Sequence, residues 1–216
     1  MNLRPSRFAF ICLSIISLSI KAQTLFEFDN SRTFAIQDGQ KIYGFYDSEH
    51  PKQFTPSFSC KFFFTSSKKI NNKYQLSTFY TESTFDRREK DSDINGMLII
   101  KENEWILHTD EFHGGCASGA GENFIALADD PYPASFIVKR KSNALNIRLV
   151  TKKSFFFKRN KEHKFTPSTR YVTEGDVVIV LNKTEAFSYV QFSNPENSQL
   201  TKAWIKNSDL VNPFSD

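Results

Sequence analysis

The sequence has little of what builds helical or disulfide-rich proteins. Its 216 residues include only 3 cysteines, 2 methionines, 2 tryptophans and 8 glycines, with few alanines or leucines. No apolar repeat with a period of 3.6 residues is sustained, and no heptad or low-complexity run occurs, which excludes a coiled coil and disfavours a helical bundle. The residue in excess is phenylalanine, with 23 copies. Because aromatic residues favour strands, this composition indicates a β protein.

The N-terminus has the pattern of a secretory signal peptide. Basic residues near the start precede the apolar run 8–20, and Ala22 follows shortly after. A basic segment, a short apolar segment and a small residue in this order direct export. The run is shorter than the roughly 20 apolar residues that cross a bilayer, so we expect cleavage after Ala22, with an uncleaved anchor as the alternative. We predict a signal peptide over residues 1–22 and a periplasmic or secreted protein.

Export changes the charge balance of the chain. The full sequence has 28 basic and 24 acidic residues, and removal of residues 1–22 takes away three basic and no acidic ones, which lowers the net charge from +4 to +1. One basic stretch remains, 152–164 (KKSFFFKRNKEHK), whose alternation of cations and aromatics suits anionic polymers. It is short, and Glu162 interrupts it. We therefore predict no nucleic-acid partner and favour an ordinary strand for this stretch.

Two cysteines remain after export, Cys60 and Cys116. Only one pairing is possible, and an oxidising compartment favours it, so we predict a disulfide that contributes about 4 kcal/mol. Cys116 lies in the glycine-rich loop 112–124 (FHGGCASGAGENF), whose glycines we interpret as permitting an irregular path around the bridge. On the flank of this loop, His113 and Glu122 are expected to form an exposed binding surface.

The glycine-rich loop also admits chemical interpretations. A phosphate-binding loop would end in Gly-Lys-Ser/Thr, whereas this one ends in Gly121-Glu122. A thiol enzyme would use Cys116 as nucleophile and His113 as base, and this is the main catalytic alternative. A metal site would need the helical spacing of zinc motifs, which the following residues do not have: His108, Asp110, Glu111 and His113. We predict no catalytic residue, no metal and no cofactor.

Alternating apolar and polar residues predict strands along the whole exported chain. Short turns such as Asp38-Gly39 and Asn71-Asn72 separate them, as in β-hairpins. We predict an all-β protein of two domains. The first, over residues 23–142, is an antiparallel sheet or sandwich-like domain that holds the disulfide. The second, over residues 143–216, is a small barrel of short strands.

The last third of the chain resembles the bacterial SH3-like (SH3b) domains. The resemblance lies in three segments and a closing turn, in the order and spacing of the family: 175–181 (GDVVIVL), 187–192 (FSYVQF), 201–206 (TKAWIK) and Ser208-Asp209-Leu210. Ala203 stands where the family usually has glycine, and Ala186-Phe187 replaces the usual Gly-Trp. The resemblance covers about residues 145–212 and implies a small SH3-like β-barrel; the N-terminal domain resembles no family.

What this resemblance implies is binding rather than catalysis. SH3-like domains of exported bacterial proteins often recognise cell-wall peptide, a protein partner or their own neighbouring domain. The candidates for a shallow binding groove are four aromatic residues: Tyr171, Phe187, Tyr189 and Trp204. For Trp204 we favour the alternative that it fills the core, because large aromatics dominate core burial.

We therefore predict a non-catalytic binding protein of the bacterial cell envelope. Its partner is expected to be a protein or peptidoglycan peptide, and one concrete version is an inhibitor or immunity protein for an exported hydrolase. The alternative is a cell-wall enzyme with its site at His113 and Cys116, in which the SH3-like barrel serves as a targeting module.

Overall fold

The fold is seen in a computed structural model that describes residues 23–30, 32–48, 59–80, 90–116, 122–195 and 197–214. The expected signal peptide, residues 1–22, lies outside the described residues. Within those ranges no helix has the length and apolar character that a membrane span requires. The described residues form fifteen β-strands arranged in two sheets.

The first eight strands form a closed antiparallel barrel. Their bounds are β1 (Gln23–Phe28), β2 (Phe34–Asp38), β3 (Lys41–Asp47), β4 (Lys61–Ile70), β5 (Lys73–Phe79), β6 (Ile94–Lys101), β7 (Glu104–Thr109) and β8 (Ser135–Ala144). Each strand pairs with the next one along the chain, and β8 pairs back with β1 through partners such as Thr24 and Asn143. This last pairing closes the sheet, which removes the exposed edges that an open sheet would present.

Large side chains fill the barrel interior. Alternate residues of β4 point inward, so Phe62 and Phe64 are both buried there. Phe26 and Phe28 of β1 pack against Trp105 of β7, with ring centroids 4.8 and 5.1 Å apart. The barrel interior is thus a packed aromatic core, as expected for a barrel of eight strands.

The remaining strands form a second, curled sheet that resembles half a barrel. They are β9 (Asn146–Val150), β10 (Ser154–Arg159), β11 (Phe165–Val172), β12 (Val177–Lys183), β13 (Phe187–Ser193), β14 (Leu200–Lys206) and β15 (Leu210–Val211). Their order across the sheet is β11-β10-β14-β13-β12-β9-β15. A single 3-10 turn, Asn207–Asp209, joins β14 to β15, and the buried Asp209 accepts a 2.8 Å hydrogen bond from the Ser154 hydroxyl.

The barrel and the second sheet share a hydrophobic core. On β4 the middle residue of the Phe62–Phe64 run, Phe63, points out of the barrel and is fully buried. It belongs to a cluster that also contains Ile36 of β2 together with Ile147 and Ile179 of the second sheet. The apolar residues on the outer face of β1 to β5 are therefore buried by the second sheet, which explains why this part of the sequence is apolar on both faces of its strands.

The all-β prediction and the antiparallel N-terminal sheet are confirmed. That sheet closes on itself as a barrel, because β8 extends over ten residues and pairs along the whole length of β1. The chain passes from the barrel to the second sheet at Leu145, between β8 and β9. The C-terminal strands form the curled sheet described above, and their likeness to SH3-like domains stays a prediction.

Candidate functional site

The glycine-rich loop is tied to the start of β4 by a disulfide. The sulfur atoms of Cys60 and Cys116 are bonded, and the two Cα atoms lie 4.5 Å apart. Gly115 has a φ of +80°, and a Cβ atom at this position would lie 2.6 Å from the carbonyl oxygen of Ser59. Glycine is therefore required here both by its backbone conformation and by the close approach of the loop to β4. The predicted bridge is confirmed, while residues 117–121 of the loop lie outside the described part.

His113 is a core residue, and our expectation that it lies on an exposed flank is wrong. Only 2 % of its surface is exposed. Its imidazole stacks on Phe62 with ring centroids 4.4 Å apart, and its Nε2 lies 2.7 Å from the hydroxyl of Thr78. Since Thr78 donates its hydroxyl hydrogen to the carbonyl of Ile94, we infer that Nε2 carries the proton of a neutral imidazole and donates to Thr78. Sequence spacing could not distinguish this ring from a surface histidine.

Burial also fixes the protonation state of His113. Loss of solvent around the ring lowers the pKa of His113 to about 4, and the negative charge of Asp93 opposes this shift only in part. The other ring nitrogen, Nδ1, is buried and has no hydrogen-bond partner among the described residues. A second proton would therefore enter a place with no acceptor, which keeps the ring neutral.

The contacts of Cys116 and His108 bear on the thiol-enzyme and metal-site interpretations of the loop. The sulfur of Cys116 is bonded to Cys60 and is not available as a nucleophile. His108 approaches Asp110 at 3.4 Å and the carbonyl oxygen of Ala126 at 3.2 Å. In the ranges that the structure covers, no group of three or more histidine, cysteine or acidic side chains is placed to hold a metal ion.

Glu122 is exposed, as expected, at the far end of the loop. Its backbone N–H lies 3.4 Å from the hydroxyl of Tyr46, a buried residue of the barrel core. Glu122 and His113 therefore do not form a common surface, because only Glu122 reaches solvent.

A cleft of about 320 Å³ lies between the barrel and the second sheet. Several of its polar groups bond to each other. Arg32 pairs with Asp47, and Glu27 binds Arg140 at 2.6 Å and accepts a 2.8 Å hydrogen bond from the amide of Gln191. Because these charges are compensated within the protein, we interpret the cleft as part of the interface between the two sheets.

A larger groove, of about 960 Å³, lies on the second sheet. It is bounded by the strands β10 to β14 and by the turn between β10 and β11. We call it the basic groove, and its described lining residues are Phe156, Phe157, Lys158, Arg159, Asn160, His163, Ser168, Thr169, Arg170, Asn182, Tyr189, Lys202, Ala203 and Trp204.

Strand register places a row of aromatic rings along the basic groove. Phe157 of β10 is directly opposite Trp204 of β14, which is in turn opposite Tyr189 of β13. Residues opposite each other on neighbouring strands share a face of the sheet, so the three rings line up across it. The ring centroids of Tyr189 and Trp204 are 5.2 Å apart. Phe165 of β11 joins this row and contacts Trp204 edge-on at 5.3 Å.

Positive charge borders these rings. The permanent cations that line the basic groove are Lys158, Arg159, Arg170 and Lys202. None of the four forms an ion pair with a described residue, and none of the described lining residues is acidic. The groove therefore concentrates uncompensated positive charge.

The four aromatic residues proposed from the SH3b resemblance do not all come together. Tyr189 and Trp204 line the basic groove, whereas Phe187 is not part of the described lining and stacks on Phe165 with ring centroids 4.0 Å apart. Tyr171 lies outside the groove lining, where it contacts Phe155 and lies under the ammonium group of Lys153 at 4.0 Å.

Our preference for Trp204 as a core residue is wrong. The core of the second sheet includes Val190, Phe156 and Ile205, whereas Trp204 is only partly buried. Trp204 and Ile205 are consecutive on β14, so they point to opposite faces, and the smaller Ile205 takes the inner one. An assignment from side-chain size alone therefore places Trp204 on the wrong face of β14.

The cations of the basic groove are not among the binding residues predicted from the sequence. Lys158 and Arg159 belong to the stretch 152–164 that we treated as an ordinary strand, while Arg170 and Lys202 come from other strands. The alternation of cations and phenylalanines in that stretch was the available signal. The contribution of this stretch to the groove depends on the pairing of β10 with both β11 and β14, because this pairing brings cations from separate strands together.

Comparison of the chain with family models, with curated proteins and with solved structures found no match in any of the three.

Proposed function

We propose that the protein is an exported, non-catalytic binding protein of the bacterial envelope, and that the basic groove holds its partner. The observation that carries this proposal is the row formed by Phe157, Trp204 and Tyr189 beside uncompensated cations. Tryptophan, tyrosine and arginine are enriched among the few residues that contribute most of the binding energy in protein interfaces. A surface that gathers these types in one concave place is suited to recognition rather than to packing within the chain.

Two further features support a binding role in the envelope. The segments that resemble SH3-like domains form the consecutive strands β12, β13 and β14, and a 3-10 turn followed by β15 takes the place of the closing turn. The disulfide favours an oxidising compartment, which agrees with the expected signal peptide. The candidate partners are an exported protein, such as a hydrolase that this chain inhibits, and cell-wall peptide.

The enzyme alternative depends on a free thiol at Cys116 and a solvent-accessible base at His113. The first is bonded to Cys60, and the second is buried and hydrogen-bonded to Thr78. The described part of the glycine-rich loop therefore supports a structural role, and we propose the binding function over catalysis.

The proposal is tested by affinity capture from envelope extracts, with purified peptidoglycan as a second arm. We expect the wild-type protein to retain a specific partner, and the variant Tyr189→Ala/Trp204→Ala to lose it. The matched control is Phe155→Ala/Tyr171→Ala, which removes a second aromatic pair of the same sheet that lies outside the groove lining. Retention of the partner by the groove variant, or retention of nothing by the wild type in either arm, would contradict the proposal.

A further inference from the structure

The charges of the basic groove select an anionic ligand. Its four permanent cations lie on three different strands, β10, β11 and β14, so they face the groove from more than one side. Arg159 and Arg170 are planar guanidinium groups that bind carboxylates through two parallel hydrogen bonds. The described lining has no carboxylate that could neutralise them, and a carboxylate-bearing ligand would complete these pairs.

The aromatic rings of the basic groove pack against one another rather than standing apart with free faces. The guanidinium of Arg159 lies over the ring of Trp204, 5.4 Å from its centroid, and Phe165 and Tyr189 contact the same ring. One face of the Phe187 ring is covered by Phe165. Nucleobases bind single-strand sites by stacking on free aromatic faces, and this arrangement offers few of them. The rings instead form an apolar floor against which aliphatic or aromatic side chains can lie.

The edge of the sheet next to the groove is not suited to strand addition. β11 is the outer strand, and it contains Pro167, which has no N–H to donate to an added strand. A ligand is therefore expected to lie within the groove rather than to extend the sheet at this edge. Ser168, Thr169 and Asn182 supply neutral polar groups that can bond its backbone.

From these features we infer that the basic groove binds an extended, acidic peptide segment of a protein partner, in which Asp or Glu side chains flank an apolar residue. The carboxylates pair with Arg159, Arg170 and Lys202, and the apolar side chain lies on Tyr189 and Trp204. This inference rests on the proposed function and deepens it, because it states the chemistry of the partner.

The ligand class is tested by selecting a phage-displayed random peptide library on the full exported protein. We expect the enriched peptides to contain an excess of Asp and Glu around an aromatic or aliphatic residue. Replacement of all the acidic residues of a selected peptide by their amides should lower its affinity about tenfold, as expected for the loss of a few exposed ion pairs. Its affinity should also fall as the salt concentration rises. Enrichment without an acidic excess, or equal binding of the amide peptide, would overturn the inference.

A pair of charge-matched variants locates the binding site. Arg170→Glu/Lys202→Glu reverses two exposed cations of the groove, and Lys73→Glu/Lys139→Glu reverses two exposed cations of the barrel with the same change in net charge. The groove variant should bind the selected peptide at least about tenfold more weakly, whereas the barrel variant should bind like the wild type. Equal weakening by both would show a general effect of charge and would contradict a specific site.

The outcomes separate this inference from the proposed function. If Tyr189→Ala/Trp204→Ala abolishes capture of the native partner while Arg170→Glu/Lys202→Glu does not, the groove is the binding site but its ligand is not acidic, and only the inference fails. If neither variant affects capture, the proposed function fails as well. The last arm is a competition assay against the bound, labelled peptide. If a thymidine oligonucleotide or purified peptidoglycan displaces it at a lower concentration than the same peptide without label does, the ligand is a polymer and the inference is overturned.

Discussion

At the scale of single residues, burial decides the roles that residue type leaves open. His113 has the chemical character of a catalytic base and sits three residues from a cysteine, yet the barrel core surrounds it. Trp204 has the character of a core residue, yet it lies on the outer face of β14. In both cases the sequence identifies a distinctive side chain, and only the strand register and the path of the loop determine which side of the sheet it occupies.

The neutral state of His113 predicts a pH dependence of stability. In the unfolded chain His113 takes up a proton below about pH 6.5, whereas in the folded protein it does so only near pH 4. Stability is therefore lost as the pH falls from about 6.5 to about 4, by roughly 3 kcal/mol in total. The measurement is the free energy of unfolding from urea titrations across this range.

The variant His113→Gln provides the control for this prediction. Glutamine keeps a donor for the Thr78 hydroxyl but does not titrate, so its unfolding free energy should depend less steeply on pH between 4 and 6.5 than that of the wild type. Identical slopes for the two proteins would mean that His113 is not the group responsible.

At the scale of elements, the sequence predicts individual strands well and their partners poorly. The segments 175–181, 187–192 and 201–206 overlap β12, β13 and β14, because alternating β-branched and aromatic residues bounded by turn residues specify a strand locally. Closure of the barrel was not predictable in the same way, since it depends on the pairing of β1 with β8 more than a hundred residues later. The basic groove has the same origin, because its cations come from three strands that meet only in the folded sheet.

The disulfide joins two elements, the start of β4 and the loop after β7. Cys60 and Cys116 are 56 residues apart in the sequence, so the bridge closes a long loop and restricts the unfolded chain. We expect Cys60→Ser/Cys116→Ser to lower the free energy of unfolding by about 4 kcal/mol. The measurement is urea unfolding of the variant and of the wild type under non-reducing conditions.

The bridge has a simple chemical control. Adding a reductant should lower the stability of the wild type by a similar amount and leave that of the double serine variant unchanged. A loss of less than about 1 kcal/mol on reduction would show that packing around Phe62 and His113 holds the loop without the bridge.

At the scale of the whole molecule, the barrel and the second sheet depend on each other. The cluster between them contains Leu25, Phe63, Ile147 and Ile179, all buried, and Phe214 near the C-terminus contacts both Tyr43 and Phe63 of the barrel. Separation of the two sheets would expose this apolar surface to water. The sequence indicated two domains of different pattern, but it could not indicate that they share a core.

This shared core predicts that the two sheets unfold together. Ile147→Ala, at a fully buried position of the second sheet, should lower the stability of the whole protein by about 2–5 kcal/mol. Calorimetry should give one transition for the wild type and one for the variant, shifted to lower temperature. Two separate transitions, with only one of them shifted, would show instead that the sheets unfold independently.

The central claim is that the partner occupies the basic groove. Hydrogen–deuterium exchange of the chain over residues 23–216, with and without a saturating amount of the captured partner, tests this most directly. We predict that protection on binding is concentrated in β10, in the turn through His163, in β11 and in β14 around Trp204. Protection confined to the barrel, or to the glycine-rich loop around Glu122, would contradict the assignment of the groove as the binding site.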